Sequence, residues 1–518
     1  MNLPRSKIIM VYPAQGFSSN FVKHIPLSLL YAVTEIIKSG VDVDILDNRL
    51  CPHSWKEELK KKITPLTLVI GISVISGTPI RNAVEISRFV KSIDPGIRVV
   101  WGGPHATFFP EGILEDEPSC DYVISGCASK SFKMLVDSVI HGTDPFKIPG
   151  LSYRSSSGVM RVPSENQFEF IRYQDIPYHL IADYKVYGQL DQDRIIFSMY
   201  SVMGCPYQCA FCSSPAQYRQ FPRRYVPFPV QEVVDHIDYV IKKYQANYIY
   251  FIDDDSFVDL SHVESIIDEI GRRGIKVGLG FRGARINEIK KMSDEFIEKL
   301  IAHGTDIMHI GAESGSDRIL TLIHKDCTVA DILEINRKLA RHPKLIAAYN
   351  FIMGLPTETL EDLKGTRDLM LALVRDNPRC VIFQPNKFRP LPGTELFDHV
   401  REQYGFHPPE HLSEWAHIEA EGHYSYPWHS KGMKEFMDML LVGSYFIDNK
   451  ALQLKTGSNW IYKLFRMIHH LYGPLAKFRF RYGWTKFLME YQIYRFVTRI
   501  VLKTKSVDLF HPPAVKEP

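Results

Sequence analysis

A chain of 518 residues, 45% of them hydrophobic and 23% charged, is long enough for roughly two to four domains that bury their own cores without staples. Its formal net charge of +3 points to neither nucleic acid nor an acidic partner as a whole-chain property. No apolar run reaches the ~18 residues of a membrane-spanning helix, and the short apolar start that stops at Pro13 reads as a strand rather than a signal peptide.

Residues 1–150 alternate short β-rich apolar runs with helical patterns, the rhythm of a parallel sheet covered by helices. Strands are predicted over 7–12, 41–46, 68–74, 98–101 and 122–125. Helices are predicted over 26–39, with Pro at its start and Gly40 just past its end, and over 81–93 before the turn Asp94-Pro-Gly. This order predicts an α/β, doubly wound, flavodoxin-like (Rossmann-like) domain whose ligands sit at the carboxyl ends of the strands. Small residues collect at those ends: Ser73, Ser76, Gly77 and Thr78, then Gly102, Gly103 and His105, then Ser125 and Gly126. Glycines let backbone approach a ligand and hydroxyls can bond it, although ordinary βα turns use the same residues.

Residues 151–193 are irregular, with Ser155-Ser-Ser-Gly and Pro177, and read as a connector. From 194 the βα rhythm resumes for six cycles, with strands over 195–200, 248–252, 277–283, 307–311, 346–353 and 380–387. Helices over 230–244, 263–273 and 360–374 fall between them. Directly after the first of these strands, Gly204-Cys-Pro-Tyr-Gln-Cys-Ala-Phe-Cys212 places Cys205, Cys209 and Cys212 on one short loop. Thiolates are the usual ligands of iron–sulfur clusters, and three of them leave one iron of a four-iron cluster open. Zinc would ordinarily be closed by a fourth Cys or His nearby, and the flanking sequence has none. The other cysteines show no framework spacing, and thiols that must stay reduced fit a cytoplasmic setting.

The cysteine loop, with the aromatic Phe211 before its last Cys, resembles the signature of the radical S-adenosylmethionine (radical SAM) enzymes. That resemblance implies a partial (β/α)6 barrel over 194–400, with its chemistry at the carboxyl ends of the strands. It assigns Asp254 and Asp255, in Phe251-Ile-Asp-Asp-Asp-Ser256, to the amino group of S-adenosylmethionine. Glu313 and Ser314, in Ile310-Gly-Ala-Glu-Ser-Gly315, go to the ribose hydroxyls and the carboxylate. Arg285 could pair with that carboxylate, and Gly354 in Met353-Gly-Leu-Pro356 lies near the adenine. Arg389-Pro-Leu-Pro-Gly393 falls near substrate.

Trp101-Gly-Gly-Pro-His-Ala-Thr107, with Val11-Tyr-Pro, His24-Ile-Pro-Leu and Asp47, in front of such a loop, resembles the cobalamin-binding domain of cobalamin-dependent radical SAM enzymes. That family includes the anaerobic magnesium-protoporphyrin ester cyclase and many C-methyltransferases. The resemblance implies cobalamin on residues 1–150, contacted by Ser73, Gly77, Thr78, Gly102, Gly103, His105, Ser125 and Gly126. Two departures stand out. There is no Asp-x-His-x-x-Gly to place a His on cobalt, and His105 is expected to line the loop or bond corrin amides. Gly126-Cys-Ala-Ser-Lys-Ser also replaces the carboxylates usual after the fifth strand.

Residues 401–518 turn helical and aromatic. Between 451 and 505 eleven Lys or Arg accompany a single acidic residue, Glu490. This stretch reads either as a helical cap on the barrel or as a peripheral contact with the inner membrane face. Nucleic acid is disfavoured, because the aromatics recur at helical spacing rather than on a sheet platform.

The resemblance implies a four-iron cluster (4Fe-4S), S-adenosylmethionine and cobalamin as cofactors, and an external electron donor of flavodoxin or ferredoxin type. The substrate is a small or lipid-like molecule. Methyl transfer to an unactivated carbon is the leading expectation, cyclisation or oxidation without methyl transfer the alternative. A bare electron carrier would need no amino acid and ribose pocket.

Overall fold

The computed structural model describes residues 6–15, 24–181, 183–187, 194–415, 426–448, 460–493 and 496. Its N-terminal strands are β1 (Lys7–Tyr12), β2 (Asp42–Asp47), β3 (Thr67–Ser73), β4 (Arg98–Gly102) and β5 (Tyr122–Ile124). They pair in parallel in the order β2-β1-β3-β4-β5, the expected flavodoxin-like order. Successive strand side chains point to opposite faces, and both faces are apolar as a doubly covered sheet requires. Ile8 and Met10 pack into one core with Leu29, Val33 and Phe132, while Ile9 and Val11 pack into the other with Ile80 and Ile86.

The predicted boundary at 150 falls short. β6 (Leu151–Ser155) and β7 (Gly158–Arg161) form a hairpin that adds antiparallel to β5. The Ser-rich run read as linker is the turn of this hairpin, and its strands cover an otherwise bare sheet edge. Arg154 fastens it, donating at 2.7 Å to each of the carbonyls of Leu114, Glu117 and Cys120.

The second unit starts with β8 (Ile196–Met199), followed by the small antiparallel ladder of β9 (Val202–Gly204) and β10 (Tyr225–Pro227) around the cysteine loop. β11 (Tyr248–Phe251) pairs in parallel with β8 and with β12 (Gly278–Phe281). β13 (Ile307–Glu313), β14 (Ile346–Met353), β15 (Cys380–Ile382) and β16 (Asn386–Lys387) make a second parallel sheet, joined to the first by the bridge Ala284–Ile310. The result is the expected open barrel of six βα cycles.

The two units meet across buried polar contacts. Asp47 and Arg49 form an ion pair at 2.6 Å, the Tyr187 hydroxyl donates to Asp47, and Arg49 also donates to the His24 carbonyl. His24 Nδ1 lies 2.9 Å from Ser198 Oγ on β8, and its ring stacks on Tyr250. From 401 onward the described chain is largely helical. The helix Lys431–Gly443 packs on the helix Leu360–Asp376, and the helix Trp460–Tyr482 packs on both. Among the described residues no helix is long and apolar enough to cross a membrane.

Candidate functional site

The residue before the first cysteine can only be glycine. Gly204 has φ +79, and a Cβ there would lie 2.2 Å from the Arg224 carbonyl oxygen and 2.5 Å from the Phe168 ring. Downstream, the Cys212 N–H donates to the Cys209 carbonyl. The loop is then held by remote elements: Ala210 N–H donates to the Ile323 carbonyl at 3.1 Å, and its own carbonyl accepts from Leu396 N–H at 3.0 Å. Phe211 packs, half-buried, on the main core.

Burial pushes the Cys205 thiol up to about 12 and the Cys212 thiol up to about 11. Without a metal both are neutral thiols, so the positive charge of bound iron is what makes them thiolates. The middle cysteine is provided for by the protein. Arg285 Nη1 donates to Cys209 Sγ at 2.8 Å, and its guanidinium lies 3.8 Å from the Tyr207 ring centroid. Lys325 is also buried; burial works against its charge, but Glu313 and Cys209 together hold it above its ordinary value. Two buried cations beside a thiol suit a group that carries net negative charge, as three thiolates on a cluster do. Among the described residues, no three Cys, His, Asp or Glu side chains are gathered as ligands of a single ion would be.

Arg285, the predicted partner of the S-adenosylmethionine carboxylate, also donates from its second nitrogen to the Lys325 carbonyl at 2.8 Å, while its Nε is buried without a hydrogen-bond partner. Tyr207 and Lys325 carried no motif signal of their own: one lies inside the cysteine loop, and the other is brought to it only by folding.

The three consecutive aspartates divide their roles. Asp253 is buried and structural, accepting from the backbone N–H of Ser201 and Val202 and from the hydroxyls of Ser201 and Ser256. Asp254 opens into a cavity of about 170 Å³ with Tyr31, Tyr200, Tyr218 and Arg282, and accepts from Ser214 Oγ at 2.8 Å. Asp255 turns under the loop, where burial, and then neighbouring Glu288, raise it well above the usual carboxyl value. Of the predicted pair, Asp254 alone faces this cavity.

Glu313 sits at the end of β13 with φ +61, a conformation a non-glycine residue holds only when its surroundings dictate it. Its carboxylate accepts from Lys325 Nζ at 2.8 Å, and a Cβ at Gly311 would come within 2.2 Å of that carboxylate. Ser314 is fully buried and accepts from Ser316 N–H, while Thr366 Oγ1 accepts from Gly315 N–H. Gly354 has φ +79, and its carbonyl accepts from Trp428 Nε1 at 3.1 Å.

At the carboxyl edge of the first sheet lies a second, largely apolar cavity of about 190 Å³. Ser73, Gly102, Gly103 and Gly126 line it together with Met10 and Phe132. Gly103 has φ +94, and a Cβ there would lie 2.8 Å from the Val74 carbonyl oxygen. At Gly102 the nearest atom to a Cβ is 3.6 Å away, so a side chain there would project without clash. The recess takes a flat apolar fragment, and a corrin would have to span from it toward the barrel. Ser28, Tyr31 and Met203 line both cavities, which therefore adjoin and mark a trough between the sheet edge and Gly204 at the base of the cysteine loop. Glycine-lined walls, apolar depth and polar rim fit cobalamin.

Four predicted contacts are not among the residues that line the recess. His105 is buried beneath Trp415, with ring centroids 5.2 Å apart, and its Nδ1 lies 3.0 Å from Ser76 Oγ. Burial pushes this imidazole down to about 3, so it is a neutral core residue. Gly77 caps the helix Thr78–Ile93, Thr78 opens it, and Ser125 is buried behind the sheet edge. Cys127, Ser129 and Glu169 take their place, and the last comes from beyond the hairpin.

An open βα barrel with a three-cysteine loop, facing a flavodoxin-like domain across a trough, defines a radical SAM barrel fused to a cobalamin domain. Comparison with known proteins agrees. Residues 199–370 match the radical SAM superfamily and residues 21–136 match the B12 binding domain. An uncharacterized methyltransferase of Pyrococcus horikoshii is 27% identical over 403 residues, 76% of this chain and 83% of that protein. The anaerobic magnesium-protoporphyrin IX monomethyl ester cyclase of Rubrivivax gelatinosus is 24% identical over 71% of this chain, which spans only 65% of that protein. The cobalamin-dependent S-adenosylmethionine radical enzyme OxsB, with aqua-cobalamin and S-adenosylmethionine bound, shares the fold at a TM-score of 0.67 and 17% identity, over 98% of this chain and 76% of that one. The chain carries a B12 binding domain and a radical SAM domain, which imply a four-iron cluster, S-adenosylmethionine and cobalamin as its cofactors.

Proposed function

We propose that this protein is a radical C-methyltransferase acting on an unactivated carbon. The observation that carries the reading is the pair of adjoining cavities, one at the glycine-lined sheet edge and one beside Asp254 and Gly204 at the base of the cysteine loop. When bound there, the cofactors supply the electron, the 5′-deoxyadenosyl radical and the methyl group.

The chain's own residues position and shield. Cys205, Cys209 and Cys212 are the cluster ligands. Arg285 and Lys325 offset the charge at the middle one, and Asp254 presents a carboxylate to an amino group. Burial raises the phenols of Tyr31, Tyr200 and Tyr218 far above their ordinary range, so they stay protonated where they line the cavity beside Asp254 and shield it from water. The substrate is a small or lipid-like molecule, and the reducing electron comes from a flavodoxin- or ferredoxin-type donor on the cytoplasmic side. Nucleic acid has no part in this reading.

Anaerobic turnover with candidate substrates tests it, with S-adenosylhomocysteine and 5′-deoxyadenosine measured together. Both rising in step is the expected result. The nucleoside alone would mean cyclisation or oxidation without methyl transfer, the reaction class to which the Rubrivivax relative's name belongs.

A further inference from the structure

Among the described side chains of the helix Trp460–Tyr482, one apolar face is packed and another is exposed. Ala476 and Phe480 are buried, the latter against Gly443, where a Cβ would meet the Phe480 ring at 2.4 Å. Met467, Leu471, Leu475, Phe478 and Tyr482 recur at spacings of three and four residues on the opposite side, and Leu471 is 76% exposed. Beyond the helix the same character continues. Phe487 is 81% exposed and Met489 72% exposed.

This exposed tip is held in place. Arg479 is buried and donates to the carbonyls of Lys486 at 2.7 Å and Phe487 at 3.0 Å, and its guanidinium lies 4.4 Å from the Trp484 ring centroid. The clamp keeps Phe487 in the left-handed region, φ +54, with its ring projected to solvent. A fraying terminus would not spend a buried arginine on such a turn. Exposed His470, Lys477 and Arg481 lie along one flank of the apolar stripe. Lys486, also exposed, adds a further cation beside Phe487.

We infer that this face docks on the surface of an anionic phospholipid bilayer, the helix lying in the interface plane with its stripe immersed and its basic flank toward the headgroups. Charge decides among occupants. A second copy of the chain would set one basic flank against another, whereas an anionic surface complements it. The inference is independent of which reaction the trough performs.

Sedimentation of the full-length, cofactor-loaded protein with vesicles tests it, using phosphatidylcholine alone and an equal mixture of phosphatidylcholine and phosphatidylglycerol. Binding is expected to the mixture only and to weaken as salt rises, since screening acts over about 8 Å at physiological ionic strength. Lys477→Gln with Arg481→Gln should lower partition about 25-fold, roughly fivefold for each charge removed. Leu471→Ser with Phe487→Ser should remove the salt-resistant remainder. None of these residues lines the trough, so iron and cobalamin content should not change. Absence of binding to the mixture at low salt overturns the inference, as does undiminished binding by both variants. A dimer that Leu471→Ser with Phe487→Ser dissociates would assign the face to a second copy. Vesicle binding that appears only after truncation past Phe496 would assign it to the chain's own terminus.

Discussion

Replacing Gly204 by Ala should prevent cluster assembly although it removes no ligand atom. The left-handed φ of +79 costs a side chain about 1–2 kcal/mol. The added Cβ would also lie 2.2 Å from the Arg224 carbonyl oxygen, more than about 1 Å inside ordinary carbon–oxygen contact. That oxygen is backbone next to Tyr225, which pairs with Gly204 in the β9–β10 ladder, so it cannot yield as a flexible side chain would. Overpacking of this kind adds about 1–3 kcal/mol, for a total on the order of 2–5 kcal/mol. The least costly relief is to move β9, and with it Cys205. Gly40→Ala is the control: its φ is +82, but no atom lies within 4 Å of its Cβ, so it carries the backbone cost alone. Iron and sulfide per chain after anaerobic reconstitution, with thermal unfolding of the apo-protein, form the assay. Gly204→Ala should retain little iron and unfold below the control. Full iron in Gly204→Ala, with a melting temperature equal to that of Gly40→Ala, would refute the argument that backbone contact positions the first cysteine.

Three further outcomes are expected. Cys205→Ala, Cys209→Ala and Cys212→Ala combined should abolish the four-iron cluster, and a full cluster or stoichiometric zinc in that variant would overturn the ligand assignment. Gly102→Val should weaken cobalamin binding, read from the absorption spectrum of the loaded protein, because its side chain would fill the recess without straining the sheet. Glu358, whose carboxyl is raised by burial to about 8 while Oε2 accepts from Gly354 and Leu355 N–H, stays protonated in the fold long after it ionises in the unfolded chain. Its contribution to stability is therefore present at low pH and is lost as pH rises from about 4.5 toward 8. Glu358→Gln should raise the melting temperature more at pH 8 than at pH 5, and an equal shift at both would contradict the protonated carboxyl.

The sequence by itself determined what depends on local spacing. Period and turn residues place β1 and β14 at the ends predicted for them and the remaining barrel strands within a few residues, while three cysteines within eight residues declare their chemistry before any folding. Asp254 was legible through the resemblance, which places a carboxylate at the end of the second barrel strand; charge alone would have left a solvated turn. Tertiary structure decided everything that rests on distance through space. It assigned Asp253, Asp254 and Asp255, three neighbours of one charge, to a structural bond, a cavity and a buried pair, because burial and donors differ over a single residue. It set Arg285 against Cys209 and the carbonyl of Lys325, and it brought Lys325 to the cluster loop from a remote segment. It also placed His105 under Trp415, more than three hundred residues away in sequence and 5.2 Å in space. Spacing along a chain specifies periodic elements and short-range ligand sets, whereas the partner of a buried charge or ring is chosen by whatever the fold packs against it.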